Sequence, residues 1–286
     1  MRLRWFSLVV WALGALPGCT TSAGDWFANV TATFEASYVP RADRDVGGGW
    51  QKLNTLYQAR MTRALVTIET ISLDDLGGGS SDRITFDPAH PPAAYSNCHN
   101  GHCHASDGRL VPYAEIETEL AGGGPATVRT IVTFPVGEAD LLAPVRRGLA
   151  CEPRCGLDEG HARRARATLT RVVFEGLVRE GRSPARLEGE VPWRWEAALA
   201  TGSGPMQGTL DAQIDLPADN GHPPDVRLDL TLAVSARLLD DVEWATLVRD
   251  VAGVIDVGTA PNAAAAAQLV HNLAESELTA YIERND

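Results

Sequence analysis

The sequence predicts a mainly β protein, an antiparallel β-sandwich or barrel-like domain with C-terminal α-helices. Apolar and polar residues alternate with period two along most of the chain, the pattern of strands with one buried and one solvated face. Most of these segments have no helical segment between them, so they cannot be wound as parallel βαβ units. Hydrophobic residues make up 44% of the 286 residues, which is ample for a core.

The clearest strand covers residues 226–238, where Val226, Leu228 and Leu230 begin an apolar series that alternates with polar residues. Clusters of Gly, Pro, Asn or Asp bound the other alternating segments, as they commonly bound strands. These further predicted strands cover residues 29–38, 63–73, 126–134, 167–180, 185–199 and 206–216.

The chain changes character near its C-terminus, where helices are predicted. Residues 240–251 place apolar side chains near helical spacing, and Pro261-Asn262 followed by five alanines is typical of a helix start. This second helix is predicted to run to about Arg284. The predicted organisation is a leader at 1–18, an anchor and linker at 19–27, a β-sandwich domain at 28–240 and a helical segment at 241–286.

The first residues have the properties of a signal peptide. Arg2 and Arg4 precede an apolar run at 5–16 that is short for a membrane-spanning helix. Leu16-Pro17-Gly18-Cys19 resembles the lipobox of bacterial lipoproteins. The resemblance implies that Cys19 becomes the mature N-terminus and carries a diacylglycerol and palmitate-type acyl chains. The alternative is an ordinary secretory signal, and both interpretations predict export.

The resemblance to lipoproteins implies a periplasmic domain held on the cell envelope by its lipid. Thr20 follows Cys19 in place of Asp, which by analogy with sorting rules favours the outer membrane. The membrane is therefore the expected partner through the anchor, and an unidentified envelope protein is a further candidate. The formal net charge of -12 excludes nucleic acid as an expected partner.

Four cysteines remain after Cys19, and an even number in an exported chain predicts disulfides. The sequence leaves all three pairings of these four open. They lie in two segments predicted to be long irregular insertions, which we expect to meet in space. The cysteines are Cys98 and Cys103 in insertion 87–107, and Cys151 and Cys155 in insertion 145–166.

The segment Cys98-His99-Asn100-Gly101-His102-Cys103-His104 concentrates three imidazoles and two thiols in seven residues. Imidazole suits copper, zinc and nickel, and a thiolate suits Cu(I) or zinc, so this segment predicts a Cu or Zn site. The predicted ligands are His99, His102, His104 and Cys103. More distant candidate ligands are His90, His161 and His222, and a four-thiolate zinc site is a variant.

Two other interpretations of the same segment stay open. Cys98-x4-Cys103-His104 resembles the longer variant of the c-type haem attachment motif, which implies a monohaem electron carrier with haem c bound by Cys98, Cys103 and His104. Alternatively, the cysteines only staple loops of a structural or interaction lipoprotein, and the histidines are surface residues.

No catalytic residues are assigned, because the sequence has no Gly-x-Ser-x-Gly elbow and no His-Glu-x-x-His pair. The protein is therefore not expected to be an enzyme. Trp193-Arg194-Trp195 resembles the Trp-x-Trp pair of the MbnP type of copper-associated periplasmic lipoproteins, which implies metal binding in the periplasm. The alternative is that both Trp side chains fill the buried face of a strand.

Two charged segments are predicted to be solvated. Residues 74–82 combine carboxylates with glycines but lack the regular ligand spacing of a calcium loop, and we expect a hairpin loop. The basic residues of the second segment are expected to form a solvated rim; they are Arg163, Arg164, Arg166 and Arg171.

Overall fold

The computed structural model describes residues 26–77, 86–99, 102–106, 110–120, 127–199 and 208–284. The predicted leader and Cys19 lie outside the described residues. Among the described helices, none combines the length and the apolar character needed to cross a membrane.

The described chain is mainly strand, as predicted. The strands are β1 (Ala28–Val39), β2 (Gln51–Lys52), β3 (Tyr57–Gly77), β4 (Tyr95–His99), β5 (His102–Ala105), β6 (Leu110–Pro112), β7 (Thr127–Asp140), β8 (Arg147–Gly148), β9 (Gly156–Leu157), β10 (Gly160–Glu180), β11 (Val191–Ala198), β12 (Thr209–Ala218), β13 (Asp225–Ser235), β14 (Ile255–Asp256) and β15 (Glu277–Arg284). The α-helices are α1 (Tyr113–Leu120) and α2 (Ala263–Ala274). Every predicted strand segment overlaps an observed strand, although most of the ends differ.

One large sheet has the strand order β15-β13-β1-β8, with β9 also paired to β1. The prediction of antiparallel pairing is incomplete here, because β1 and β13 are parallel from the Asn29–Asp225 pair to the Val39–Ser235 pair. Parallel neighbours need a long connection, and most of the chain lies between these two strands.

The other large sheet has the order β14-β11-β10-β3-β2, with β12 added beside β10 and β7 beside β3. Its centre is the antiparallel pair of β3 and β10, which each have 21 residues. The inner faces of the two large sheets contribute to a single apolar core, which gives the predicted sandwich arrangement. Val30, Phe34 and Leu230 from one sheet and Trp195 from the other are examples of its members.

The C-terminal segment differs from the prediction. The helix ends at Ala274, and residues Glu277–Arg284 form strand β15 against β13. Leu278, Ala280 and Ile282 alternate with polar residues or Tyr281, a period-two pattern that the prediction extended as helix. Residues 240–251 contain only the short 3-10 helix Trp244–Thr246 in place of the predicted α-helix.

Insertion 87–107 is more regular than predicted. It supplies β4 and β5 to a small three-stranded sheet whose third strand is β6. This small sheet and α1 enclose a second apolar core of Phe86, Cys103, Val111 and Ile116. Insertion 145–166 supplies β8, β9 and the beginning of β10 to the large sheets.

Candidate metal centre

Strand β5 places His102 and His104 on the same face, because side chains two residues apart in a strand point to the same side. Cys103, between them, points the other way and is fully buried in the small core beside Val111 and Ile116. Burial of Cys103 therefore fixes which face of β5 carries the two imidazoles.

All four cysteines form disulfides, as predicted, and the structure chooses the pairing in which each disulfide closes its own loop. Cys98 is joined to Cys103 and Cys151 to Cys155, with Cα–Cα distances of 4.0 Å and 5.0 Å. With all four sulfurs used in this way, no disulfide joins the two insertions.

These disulfides decide which of the predicted ligands are available in this structure. A sulfur atom in a disulfide is not a thiolate, so Cys103 offers no ligand in this state, and the four-thiolate zinc variant would require both disulfides to be reduced. Haem attachment through Cys98 and Cys103 would likewise require this disulfide to be reduced first, since thioether bonds use the same two sulfurs.

Helix α2 brings a carboxylate to the two imidazoles. Glu275 is the residue directly after the helix, at its C-terminal cap. Leu269, Val270 and Leu273 bury one side of the helix in the main core. Asn272 fixes its last turn, because the side-chain amide donates to the Leu238 carbonyl at 3.0 Å and the Asp240 carbonyl at 2.9 Å.

The three side chains converge within bonding reach of one ion. Glu275 Oε1 lies 3.5 Å from His104 Nε2 and 4.0 Å from His102 Nε2. One ligand atom from each residue lies within 4.8 Å of the others. The side chains are mostly sheltered, with exposed fractions of 12% for His102, 22% for His104 and 25% for Glu275.

The donor set fits a divalent transition metal. Nitrogen and oxygen ligands bind Zn²⁺ at about 2.0–2.2 Å, which puts ligand atoms of a tetrahedral site roughly 3.3 Å apart. Small side-chain rotations would therefore bring His102, His104 and Glu275 to these separations. Imidazole with carboxylate suits Zn²⁺ or Cu²⁺, whereas the softer Cu⁺ prefers the sulfur ligands that the disulfide has removed.

The other predicted histidine ligands have different positions. His99 is opposite His102 in the β4–β5 pairing, and its side chain lies outside the description. The three distant candidates each pair with a nearby carboxylate instead: His90 with Asp87 at 2.8 Å, His161 with Asp215 at 2.6 Å and His222 with Asp219 at 2.8 Å.

The sequence analysis did not identify Glu275 or its neighbour His271. His271 lies in the last turn of α2, and the centre of its ring is 6.2 Å from that of His104. Residues four apart share a helix face, so the spacing of His271 and Glu275 is a signal for a joint role. The spacing points to a metal site only once the structure shows that strand β5, with His102 and His104, lies beside the end of α2.

A polar cleft of about 600 Å³ borders the cluster. Glu275 and His271 line it together with Asn272 and Ser276 from the end of α2. The other lining residues come from surrounding loops, from β4, from the end of β13 and from the turn after it: Arg41, Asn54, Asn97, Ser235, Arg237, Asp240 and Asp241. Glu275 therefore belongs both to the cluster and to the wall of this cleft.

The predicted solvated rim is wrong at Arg164, whose side chain is only 1% exposed. Its Nη2 and Nε donate to Asp74 Oδ2 at 2.9 Å and 3.1 Å. Irregularities interrupt the strand pairing at both residues, and such bulges turn a side chain toward the opposite face. Asp74 is therefore part of a buried ion pair and is not a solvated loop carboxylate as predicted.

The Trp-x-Trp pair lies within the core. Trp193 and Trp195 are 1% and 0% exposed, and their rings contact Trp244 and Phe174 respectively. This packing confirms the interpretation that both side chains fill the buried face of a strand.

Comparison with known proteins gives no relative: no family model, no curated protein and no solved structure matches this chain. Function has to be inferred from the chemistry of the side chains that the fold brings together.

Proposed function

We propose that this protein binds a divalent transition metal ion, Zn²⁺ or Cu²⁺, through His102, His104 and Glu275. The observation that carries the proposal is the convergence of two imidazoles and one carboxylate from two separate elements within 4.8 Å. The elements come from distant parts of the sequence, so local chain proximity does not account for the cluster.

Both elements are held in place without the metal. The disulfide and the buried side chain of Cys103 anchor β5, and apolar contacts with Asn272 hydrogen bonds anchor the end of α2. A preformed site requires little further ordering of backbone when the ion binds, which favours affinity. The partial burial of the ligands also strengthens their attraction to a cation.

We further propose that the protein is an exported lipoprotein anchored through Cys19, which holds or passes on the metal in the cell envelope. The residues Leu16-Pro17-Gly18-Cys19 support the anchor. Two disulfides support an oxidising compartment such as the periplasm. Cys19→Ala is expected to move the protein from the membrane fraction to the soluble fraction, and mass spectrometry would detect the lipid on the unchanged protein.

Metal analysis of protein purified without a histidine tag tests the site. After incubation with Zn²⁺ or Cu²⁺ and removal of excess ion, we expect one bound ion per chain. The His102→Ala/His104→Ala variant and the Glu275→Gln variant are expected to lose it. His90→Ala/His222→Ala is the matched control, because it removes two histidines that pair with carboxylates elsewhere.

Equal loss in the control variant would show that binding is nonspecific. Failure of the unchanged protein to retain either ion would contradict the metal proposal. That result would favour the second candidate, a structural or interaction lipoprotein whose disulfides staple its loops, which the two formed disulfides support.

A further inference from the structure

His271 and Glu275 lie four residues apart at the end of α2, facing the strand that carries His102 and His104. We propose that His271 is a fourth ligand, so that protein side chains alone complete the coordination of the ion. This inference rests on the metal site proposed above and adds to it a residue that the three-ligand cluster does not contain.

The ring separations support a shared ion. For imidazoles on one tetrahedral ion, the metal–nitrogen distance of about 2.0–2.1 Å places ring centres roughly 5 Å apart. The ring centres of His102 and His104 are 5.7 Å apart, and those of His104 and His271 are 6.2 Å apart. The ring of His271 is therefore almost as close to that of His104 as the ring of the proposed ligand His102 is.

To reach the ion, the His271 ring has to move closer to the other ligands, and its side chain has room to do so. His271 is exposed, whereas its neighbours Val270 and Asn272 hold the helix backbone by burial and by hydrogen bonds. A change of rotamer at His271 would move a ring nitrogen toward Glu275 without any shift of the helix. The two ligands on β5 would then face two ligands at the C-terminal end of α2.

His271 also lines the cleft that borders the proposed ion. Both His271 and Glu275 line this cleft, so it is a route by which water would reach an ion bound to Glu275. A fourth protein ligand on this side would occupy the position that water takes in catalytic zinc sites. Four protein ligands are typical of sites that hold a metal, which agrees with a carrier or structural role.

Replacement of His271 by alanine tests this ligand. Zn²⁺ affinity, measured by competition with a chromophoric chelator, is expected to fall by about 10- to 100-fold or more, since loss even of an outer-shell partner costs that much. In the Co²⁺-loaded protein, visible absorption is expected to change as water replaces the ring, and added imidazole is expected to restore the original spectrum.

His222→Ala is the matched control and is expected to leave both affinity and spectrum unchanged. If His271→Ala retains the original affinity and Co²⁺ spectrum, His271 is not a ligand, while the three-ligand site remains. If the unchanged protein takes up none of Zn²⁺, Cu²⁺ and Co²⁺, this inference and the proposed function both fail.

Discussion

At the scale of single residues, the most unusual environment in the described chain is that of Arg164. Three carboxylates surround its buried guanidinium: Asp74 at 2.9 Å, Glu115 at 3.6 Å and Asp211 at 3.9 Å. Asp74 in turn accepts a hydrogen bond from Thr130 Oγ1 at 2.8 Å. Glu115 belongs to α1, which packs with the small three-stranded sheet, so this cluster also connects that part of the chain to the large sheet.

Asp74→Asn is expected to destabilise the protein strongly, because it removes the charge that compensates a buried guanidinium. Breaking a buried ion pair costs about 3–5 kcal/mol in free energy of unfolding. Asp75→Asn is the matched control, since Asp75 pairs with the exposed Arg129 and such pairs are worth about 1 kcal/mol or less. Urea denaturation measures both, and similar losses for the two variants would contradict the special role of Asp74.

The lowered pKa of Asp229 leads to a prediction of how the free energy of unfolding depends on pH. Thr33 Oγ1 donates to its carboxylate at 2.7 Å, and this hydrogen bond, with a smaller effect of Arg227, lowers the pKa of Asp229. A lowered pKa in the folded state stabilises the protein above the unfolded pKa of about 3.9. This stabilisation is lost as pH falls through the folded-state pKa.

The free energy of unfolding of Asp229→Asn is therefore expected to fall less between about pH 5 and pH 2 than that of the unchanged protein. Thr33→Val removes the hydrogen bond that affects the pKa most, so an intermediate slope is expected. Denaturation at a series of pH values measures these slopes. Parallel curves for the unchanged protein and Asp229→Asn would contradict the prediction.

At the scale of elements, strand β5 shows how alternation combines with a disulfide to build a site. The strand needs Cys103 inward for the small core, and period two then turns both flanking histidines to the other face. The sequence analysis identified these residues but did not predict that the segment is a strand. With only four residues and no β-branched side chain, the segment lacks the usual sequence pattern of a strand.

Removal of the Cys98–Cys103 disulfide is expected to weaken metal binding. The Cys98→Ala/Cys103→Ala variant is expected to make β5 more mobile, so that His102 and His104 become ordered only when the metal binds. If this ordering costs roughly 1.4 kcal/mol of binding free energy, the Kd rises about tenfold. The matched control is Cys151→Ala/Cys155→Ala, which removes a disulfide of similar loop length away from the proposed ligands. Calorimetric titration with Zn²⁺ compares them, and an equal Kd in both variants would contradict this role of β5.

At the scale of the whole molecule, the proposed ion would join the small sheet to the main sandwich. His102 and His104 belong to the small sheet, whereas the helix before Glu275 packs on the main core. The metal would thus connect the small sheet, which has its own apolar core, to the main sandwich. The ion pairs of Arg164 already make one such connection. Such a connection links metal binding to the stability of the folded chain.

Metal is accordingly expected to raise the melting temperature. At a free ion concentration of 100 times the Kd, binding to the folded state alone adds about 2.7 kcal/mol, which corresponds to roughly 5–10 °C in a chain of this size. Differential scanning calorimetry with and without Zn²⁺ measures the shift. The His102→Ala/His104→Ala variant is expected to show none, and an equal shift in that variant would contradict binding at this site.

The sequence by itself determined the features that depend on local pattern. Period-two alternation predicted the main strands, because successive side chains point to opposite faces and one face packs on the core while the other meets solvent. The buried face of β11 with Trp193 and Trp195 follows from the same rule. The histidine-rich segment was predicted as a metal site from its composition, and His102 and His104 belong to the proposed set.

Only the tertiary structure decided the features that join distant residues. The parallel pairing of β1 with β13, the choice among three cysteine pairings and the approach of Glu275 to His104 are such features. Local propensity does not encode which distant segments pack together, because the gain comes from burying their faces jointly. The bulges that bury Arg164 and Asp74 likewise arise from strand pairing, and only the folded chain reveals them.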